Sequence, residues 1–260
     1  MSERTERFEV DGRPDVTVRI PTGHVRLVPS DDGAVLVRLS GSERDLDRFR
    51  IDQRGRHITV ETEKESFGIR LRLSGVDVGI ALPPDADVEV RVASGDLRSD
   101  PVLRTLSVDA ASGDIAVEGE VTRDLSVKAA SGDVRVESVG GSVDVSLASG
   151  DVLVRSVDGP CRIVSASGNV RVGHLTGPGS FKSASGDVSV AHFGGDHFDA
   201  KTMSGDVSIG VPGGRRYEVS FKALSGDVRT DFPISSEKSS GTSRLNVTSL
   251  SGDITVHAAE

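Results

Sequence analysis

Ala148-Ser149-Gly150-Asp151-Val152 is the stretch that decides the fold, because close copies of it recur at an almost fixed spacing. Nine copies lie between Ala93 and Ile254, and their successive glycines are 18, 19, 18, 18, 18, 19, 21 and 26 residues apart. These glycines are Gly95, Gly113, Gly132, Gly150, Gly168, Gly186, Gly205, Gly226 and Gly252. A recurrence of this kind is typical of an architecture built from stacked repeats.

Apolar residues alternate with other residues on both sides of each motif. Before Ser149 they are Val143 and Val145, and after it they are Val152 and Val154. Alternation with a period of two predicts half-buried β-strands, so each repeat should hold two strands that face one interior. The Ser-Gly-Asp segment between them is predicted to turn a corner, since Gly tolerates unusual backbone angles and Ser and Asp hydrogen-bond nearby backbone.

Residues that recur once per repeat are most simply stacked above one another, although an array of hairpins would also give alternating strands. We predict an all-β fold, a single-stranded parallel β-helix (β-solenoid) with about 18 residues per turn and a right-handed coil. Each turn should rise by about 4.8 Å, the spacing of neighbouring strands. The composition agrees, because 36% hydrophobic residues with no Trp and one Tyr suit a narrow aliphatic interior.

We expect one continuous domain with two parts. Residues 1–85 are predicted to form irregular β turns that cap one end, and residues 86–260 to form the solenoid with its nine Ser-Gly-Asp or Ser-Gly-Asn corners. Within the cap, Thr22-Gly23-His24-Val25 looks like a worn copy of the motif. The polar segment 233–243 is expected to be a mobile excursion, and the strand that holds Val256 is expected to leave a bare edge.

The corner motif, the phrase Pro83-Pro84-Asp85-Ala86-Asp87-Val88-Glu89-Val90 and the opening strands between Val16 and Leu39 together resemble the bacterial DUF4097 family of β-strand-repeat proteins. The resemblance extends over nearly the whole chain. It implies a single-stranded β-helix of unknown function without established enzymatic activity, and the family is also labelled "putative adhesin". It provides no catalytic residues to carry over.

Charge and composition bear on partners and location. A formal net charge of −9 argues against nucleic acid as a partner. The charged segment 1–7 is followed by no apolar run, which predicts no signal peptide, no transmembrane segment and a cytoplasmic location, with envelope association as an open alternative. Cys161 is the single cysteine and lies at an inward position, so we expect a buried small hydrophobe.

The corner carboxylates are the first candidate for chemistry. They should stack once per turn, with Asn169 interrupting the series Asp96, Asp114, Asp133, Asp151, Asp187, Asp206, Asp227 and Asp253. Unit charges about 4.8 Å apart repel by about 1 kcal/mol even in water, so something must offset the repulsion. We predict that each Asp accepts hydrogen bonds from corner N–H groups or the neighbouring Ser, and that Asn169 keeps such a bond. Calcium held between turns is the alternative, although one carboxylate per turn is few for it.

Two outward-facing clusters are further candidates. The segment 192–199 holds His192, Asp196, His197 and Asp199, ligand types that suit zinc, but a solvated corner is the favoured interpretation because Phe198 falls on an inward position. A basic strip along Lys182, Lys201 and Lys222 could bind an anionic partner.

We therefore predict no catalytic, cofactor-binding or metal-binding residues and no cofactor. Corner Asp residues that are equivalent in every turn indicate structure, because a catalytic cluster should break the pattern at one place. The predicted function is a non-catalytic scaffold or adhesin-like interaction protein of unknown ligand, with a protein or cell-envelope partner. The alternative is a bactofilin-like β-helical filament that self-associates through the C-terminal edge. A calcium-dependent adhesin and a polysaccharide-acting β-helix enzyme are less favoured.

Overall fold

The computed structural model describes residues 2–62, 75–213, 217–231 and 243–259. The predicted mobile segment 233–243 lies outside them except for Ser243. Backbone contacts group the chain into two compact units, residues 1–132 and residues 133–260. The expected division of the chain at residue 85 stays a prediction.

The first unit is a stack of parallel coils with antiparallel additions at its start. Its described elements are β1 (Ser2–Phe8), β2 (Asp15–Thr22), β3 (Val25–Pro29), β4 (Val35–Gly41), α1 (Glu43–Leu46), β5 (Phe49–Arg54), β6 (His57–Thr62), β7 (Asp77–Leu82), β8 (Ala86–Ser94), β9 (Leu97–Ser99), β10 (Leu103–Ser112), β11 (Ile115–Val121) and β12 (Leu125–Ser131). Strands β8, β10 and β12 pair in parallel, with Ser94, Ser112 and Ser131 in one column. The predicted β-solenoid is confirmed.

The coil formed by β2 and β3 belongs to the same stack. Strand β2 pairs in parallel with β8, which puts Thr22 opposite Ser94, and β3 pairs in parallel with β9. The interpretation of Thr22-Gly23-His24-Val25 as a worn corner motif is therefore confirmed. On their other sides, β2 pairs with β6 and β3 pairs with β7.

Antiparallel pairing distinguishes the segment between β3 and β7 from the coils. Strand β4 pairs antiparallel with both β1 and β7, and β5 pairs antiparallel with β6. The helix α1 joins β4 to β5, and Ser42 caps it by accepting a hydrogen bond from the Asp45 N–H. A sheet of mixed direction thus extends the first coil on the side of β7.

The second unit contains the most regular coils. Its described strands are β13 (Val134–Val139), β14 (Val143–Ser149), β15 (Val152–Val157), β16 (Cys161–Ser167), β17 (Val170–Leu175), β18 (Gly179–Ser185), β19 (Val188–Phe193), β20 (His197–Ser204), β21 (Val207–Val211), β22 (Tyr217–Ser225), β23 (Val228–Thr230), β24 (Ser243–Ser251) and β25 (Ile254–Ala258). From β13 to β21 each strand pairs in parallel with the strand two places along the chain.

The last coils stack out of chain order. Strand β24 lies between β20 and β22, and β25 lies between β21 and β23. The expectation of a bare edge at the strand of Val256 is therefore wrong, because β25 is paired on both sides. Burial follows this order: Leu245 and Val247 in β24 are fully buried, whereas Val219 and Phe221 in β22, which pairs on one side with β24, are only half-buried.

Aliphatic side chains fill both interiors, and three rings fill part of the second. Phe181 and Phe198 have ring centroids 5.2 Å apart, and Phe193 meets Phe198 edge-on. Gly179 makes room for them, since a Cβ there would lie 2.7 Å from the Phe181 ring. Cys161 is buried as predicted, and burial raises the pKa of its thiol to about 12, with a further contribution from the charge of Asp144.

Candidate functional site

The corners are built around glycine. All nine motif glycines have φ between +118° and +146°, a region that side chains rarely adopt. The Gly168 N–H donates to the Ser185 carbonyl of the next coil, and a Cβ on Gly168 would lie 2.1 Å from the Gly150 carbonyl oxygen. Successive corners therefore stack so closely that only a hydrogen fits between them.

The side-chain oxygens of the corner Asp and Asn residues accept hydrogen bonds from backbone N–H groups. The Asp151 Oδ1 accepts the Asn169 N–H at 2.8 Å, and the Asn169 Oδ1 accepts the Asp187 N–H at 3.0 Å. Five further pairs have the same bond, in which the backbone N–H of the first residue donates to the Oδ1 of the second: Asp114 to Asp96, Asp151 to Asp133, Asp206 to Asp187, Asp253 to Asp206 and Asp227 to Asp253. The prediction of a structural hydrogen bond is confirmed for these acceptors, including Asn169. The donor belongs to the next coil, which sequence reasoning did not specify.

The series begins with a histidine that the sequence analysis did not place in it. His24 occupies the Asp position of the worn motif, and its Nδ1 lies 3.3 Å from the Asp96 backbone nitrogen as acceptor. The Asp77 carboxylate accepts a hydrogen bond from the backbone N–H of His24 at 3.2 Å. The Thr22-Gly23-His24 resemblance was the signal for His24, whereas no local pattern pointed to Asp77.

The histidine-rich segment 192–199 does not converge on one point. The His192 ring stacks on the His174 ring of the neighbouring coil, with centroids 4.4 Å apart, while Asp199 pairs with Lys201 at 3.5 Å. Within the described ranges, no three His, Cys, Asp or Glu side chains lie close enough together to hold a metal ion. The absence of a metal site stays a prediction.

The basic strip is interrupted. Lys182 lies directly opposite Lys201 on paired strands, but Thr248 lies between Lys201 and Lys222. The interruption follows from the insertion of β24 between β20 and β22. A continuous three-lysine strip is therefore a wrong expectation, and only a two-lysine pair remains.

An open groove of about 470 Å³ lies on the outer face of the first unit, across β3, β7 and β4. We call it the β7 groove, because β7 forms its floor. Its side chains lie in three rows across the strands: His24, Asp77 and Ser40; Arg26, Gly79 and Arg38; and Val28, Ala81 and Leu36. Since Gly79 and Ala81 are small, the middle strand lies low between longer side chains.

The β7 groove contains cations that are incompletely paired. Arg26 has a 3.6 Å ion pair with Asp100, which Arg98 also contacts at 3.2 Å. The Arg38 guanidinium has no hydrogen bond or ion pair with any residue in the described part of the chain. Among the described residues that line the groove, Asp77 is the one carboxylate, and its Oδ1 already accepts the His24 backbone N–H. No local sequence pattern indicates this site, because its residues come from three separate stretches of the chain.

A second exposed feature lies at the corners of the last coils. The residue before the motif Ser is Ala in six copies, but it is Met203, Leu224 and Leu250 in the last three. Register puts these three side chains on neighbouring coils, with Leu250 in the middle. They are 59%, 84% and 47% exposed, in the order named. We call this column the Met-Leu stripe.

Comparisons with known proteins bear on the fold. A family model described as Toastrack DUF4097 matches residues 15–257. A Parabacteroides distasonis ATCC 8503 structure described as a "putative adhesin" is similar with 13% identity and a TM-score of 0.50, over 97% of each chain. A second structure from that strain, a "Putative lipid binding protein", is similar with 15% identity and a TM-score of 0.55, over 97% of this chain and 96% of that chain.

At these identities the two structures establish a common fold and nothing further. No curated protein sequence is significantly similar to this chain. Among the described residues, no helix has the length and apolar character needed to cross a bilayer.

Proposed function

We propose that this chain, which belongs to the Toastrack DUF4097 family, is a non-catalytic binding scaffold that holds its ligand in the β7 groove. The observation that carries the proposal is the groove itself, a preformed concavity of about 470 Å³ with an unpaired guanidinium in the described structure. Small-molecule sites in proteins have volumes of about 300 to 1,000 Å³ and combine apolar walls with a few polar groups.

The corner chemistry supports a scaffold role. A carboxylate that already accepts a backbone N–H from the next coil is committed to holding the stack together, as Asp151 does for Asn169. The two solved structures of the same fold are described as a "putative adhesin" and a "Putative lipid binding protein", and both descriptions name binding roles. The adhesin-like character and the cytoplasmic location of this chain stay predictions.

A groove-filling variant tests the proposal. Gly79→Phe should block the groove without disturbing the backbone, since a Cβ at Gly79 makes only ordinary contacts, at 3.8 Å from the Arg38 carbonyl oxygen. Ala116→Phe on β11 of the same unit is the matched control. The proteins are incubated with a bacterial lipid and metabolite extract, repurified and analysed by mass spectrometry.

We expect wild type and Ala116→Phe to retain a compound that Gly79→Phe does not retain, and we expect that compound to be recovered chemically unchanged. Retention that is equal in all three proteins, or no retention at all, would remove the groove as a binding site. A compound that leaves the wild type chemically altered would contradict the non-catalytic assignment.

Self-association through the outermost coil of the second unit is a second candidate. The Met-Leu stripe ends at Leu224 on this coil, and the inward Val228 is 44% exposed. Among the described strands, β22 pairs only with β24 and β23 only with β25, which leaves one edge of each strand open. Exposed apolar residues beside such an edge favour association. Light scattering after size-exclusion chromatography should show concentration-dependent growth in wild type and its loss in Leu224→Asp. A wild type that stays monomeric at all concentrations contradicts this candidate.

A further inference from the structure

We propose that the β7 groove binds a monocarboxylate with a short alkyl chain, whose carboxylate lies between Arg26 and Arg38 and whose chain lies on Val28 and Leu36. The proposal rests on the proposed function, because it takes the groove to be the binding site and adds the chemistry of the ligand. Three features of the groove support it: a pair of cations, an apolar row on one side of them, and a carboxylate on the other.

The cations come from strands on opposite sides of β7. Arg26 and Arg38 both lie opposite Gly79, so their Cα atoms are separated by two strand spacings, about 10 Å. The described strand between them contributes no side chain to this row, because its residue is Gly79. Two arginine side chains can span this distance and meet at one anion, and guanidinium groups bind carboxylate through paired N–H donors.

The guanidinium groups have capacity for such a ligand. Arg38 has no polar partner in the described structure, and the Arg26 contact with Asp100 is 3.6 Å long. Arg98 lies beside Arg26 on β9 and shares Asp100 with it, but Arg98 also pairs with Glu118 at 2.7 Å. A bound carboxylate would balance the charge of Arg38, which pairs with no carboxylate among the described residues.

The apolar row provides a surface for the alkyl chain of the ligand. Val28, Ala81 and Leu36 lie across the three strands one row beyond the arginines. They are half-buried on an outward face, where strands of this fold usually carry polar side chains. An alkyl chain laid across this row would bury apolar surface on the ligand and on the protein, which favours binding.

Asp77 sets the orientation and the charge of the ligand. It lies in the row on the opposite side of the arginines, with His24 and Ser40. Its charge repels an anion that moves past the arginine row, so the carboxylate stops there and the chain points toward Val28 and Leu36. The same repulsion disfavours a dianion such as phosphate relative to a monocarboxylate.

Titration calorimetry on the full chain tests this with defined probes. Sodium octanoate is the complete probe, sodium acetate lacks the chain, and octanol lacks the charge. We expect octanoate to bind with one site per chain, and acetate and octanol to bind at least about tenfold more weakly. Acetate binding as tight as that of octanoate, or octanol binding as tight, overturns the proposal.

Variants assign the two ends of the ligand. Arg38→Gln should weaken octanoate binding about tenfold, as expected for the loss of a charge-assisted hydrogen bond. Leu36→Ser should weaken octanoate about fivefold and leave acetate unchanged. Arg162→Gln, an exposed arginine of the second unit, is the control and should bind octanoate like wild type. Matching circular dichroism spectra exclude misfolding as the cause.

Octanoate binding that Arg38→Gln and Gly79→Phe leave unchanged overturns the proposal. So does the absence of octanoate binding to wild type. The extract experiment separates this failure from that of the proposed function. If the wild type retains a neutral or cationic compound that Gly79→Phe does not retain, the groove is still a binding site. That result overturns only the proposal that its ligand is a monocarboxylate. If no compound depends on Gly79, both proposals fall.

Discussion

The coils from β13 to β21 repeat one another position by position, whereas the strands from β2 to β7 do not. In the regular coils Val134, Val152 and Val170 form one column, and the residues in each corner meet their own equivalents. In the first unit the antiparallel strand β4 brings unlike residues together, with Arg38 and Arg26 on either side of Gly79. Residues that recur in every coil stabilise the stacking of the coils. A surface with its own combination of side chains forms where the repeat is interrupted.

Glycine-to-alanine substitutions should show the largest difference in stability loss between the two regions. We expect Gly168→Ala to lower the free energy of unfolding by about 3 kcal/mol or more, because the new Cβ meets the Gly150 carbonyl and φ is +118°. Gly55→Ala in the β5–β6 turn also has positive φ, at +61°, but nothing lies within 4 Å of its Cβ. Its cost should be only about 1 to 2 kcal/mol.

Denaturant unfolding of the two alanine variants measures this difference. Equal losses of stability would mean that the corners are not as closely stacked as the geometry implies. A loss that is larger at Gly55 would reverse the comparison.

A carboxylate in the first unit should make stability depend on pH. Asp87 accepts hydrogen bonds from Arg104 and Thr105, each at 2.6 Å. Burial by itself would raise the pKa of this carboxyl, but the hydrogen bonds and the charge of Arg104 hold the pKa below its ordinary value of 3.8. Because the folded pKa is depressed, the stabilisation is present above pH 3.8 and is lost as the pH falls through the folded pKa.

Asp87→Asn should therefore lower the free energy of unfolding by about 2 kcal/mol at neutral pH. The difference from wild type should shrink as the pH falls below 3.8. Urea unfolding at a series of pH values measures both effects. A difference that stays constant down to the most acidic pH would show that the charge of Asp87 does not contribute.

Corner carboxylates should show the smallest effects. Asp151→Ala removes the acceptor of the Asn169 N–H and should cost about 1 kcal/mol. Asp151→Asn should change stability by less than about 0.5 kcal/mol, because an amide oxygen can accept the same bond, as Asn169 does from Asp187. Thermal unfolding of the pair is the measurement. A large loss in Asp151→Asn would mean that the charge itself, for example through a bound cation, supports the corner.

The repeat could be predicted because its determinants are local. A glycine that must adopt positive φ, an Asp that must accept an N–H and a period of two in the flanking valines all lie within one short stretch, as around Gly150. Even the worn copy at Thr22-Gly23-His24 was recognisable, because the corner demands glycine whatever surrounds it. The bond at Asn169 followed from the same reasoning, since an amide replaces a carboxylate as acceptor.

The β7 groove could not be predicted in this way. Arg26, Arg38 and Gly79 are far apart in the chain, and no pattern within β3, β4 or β7 shows that β4 pairs with β7 in the register that aligns them. The candidates that the sequence did suggest, the segment 192–199 and the lysine strip, were chosen for residue type alone. In the fold, His192 and Asp199 take different partners, and Thr248 separates Lys201 from Lys222.

By itself the sequence determined the β-solenoid, the place of each corner and the structural use of the corner carboxylates, because these depend on interactions that every repeat makes with the next. The tertiary structure alone decided the order of the last coils and the alignment of the groove residues. Similar corner motifs can stack on one another in any order, so the motifs alone do not specify that β24 and β25 lie inside β22 and β23. The groove depends on an antiparallel register between distant strands, which no single repeat encodes.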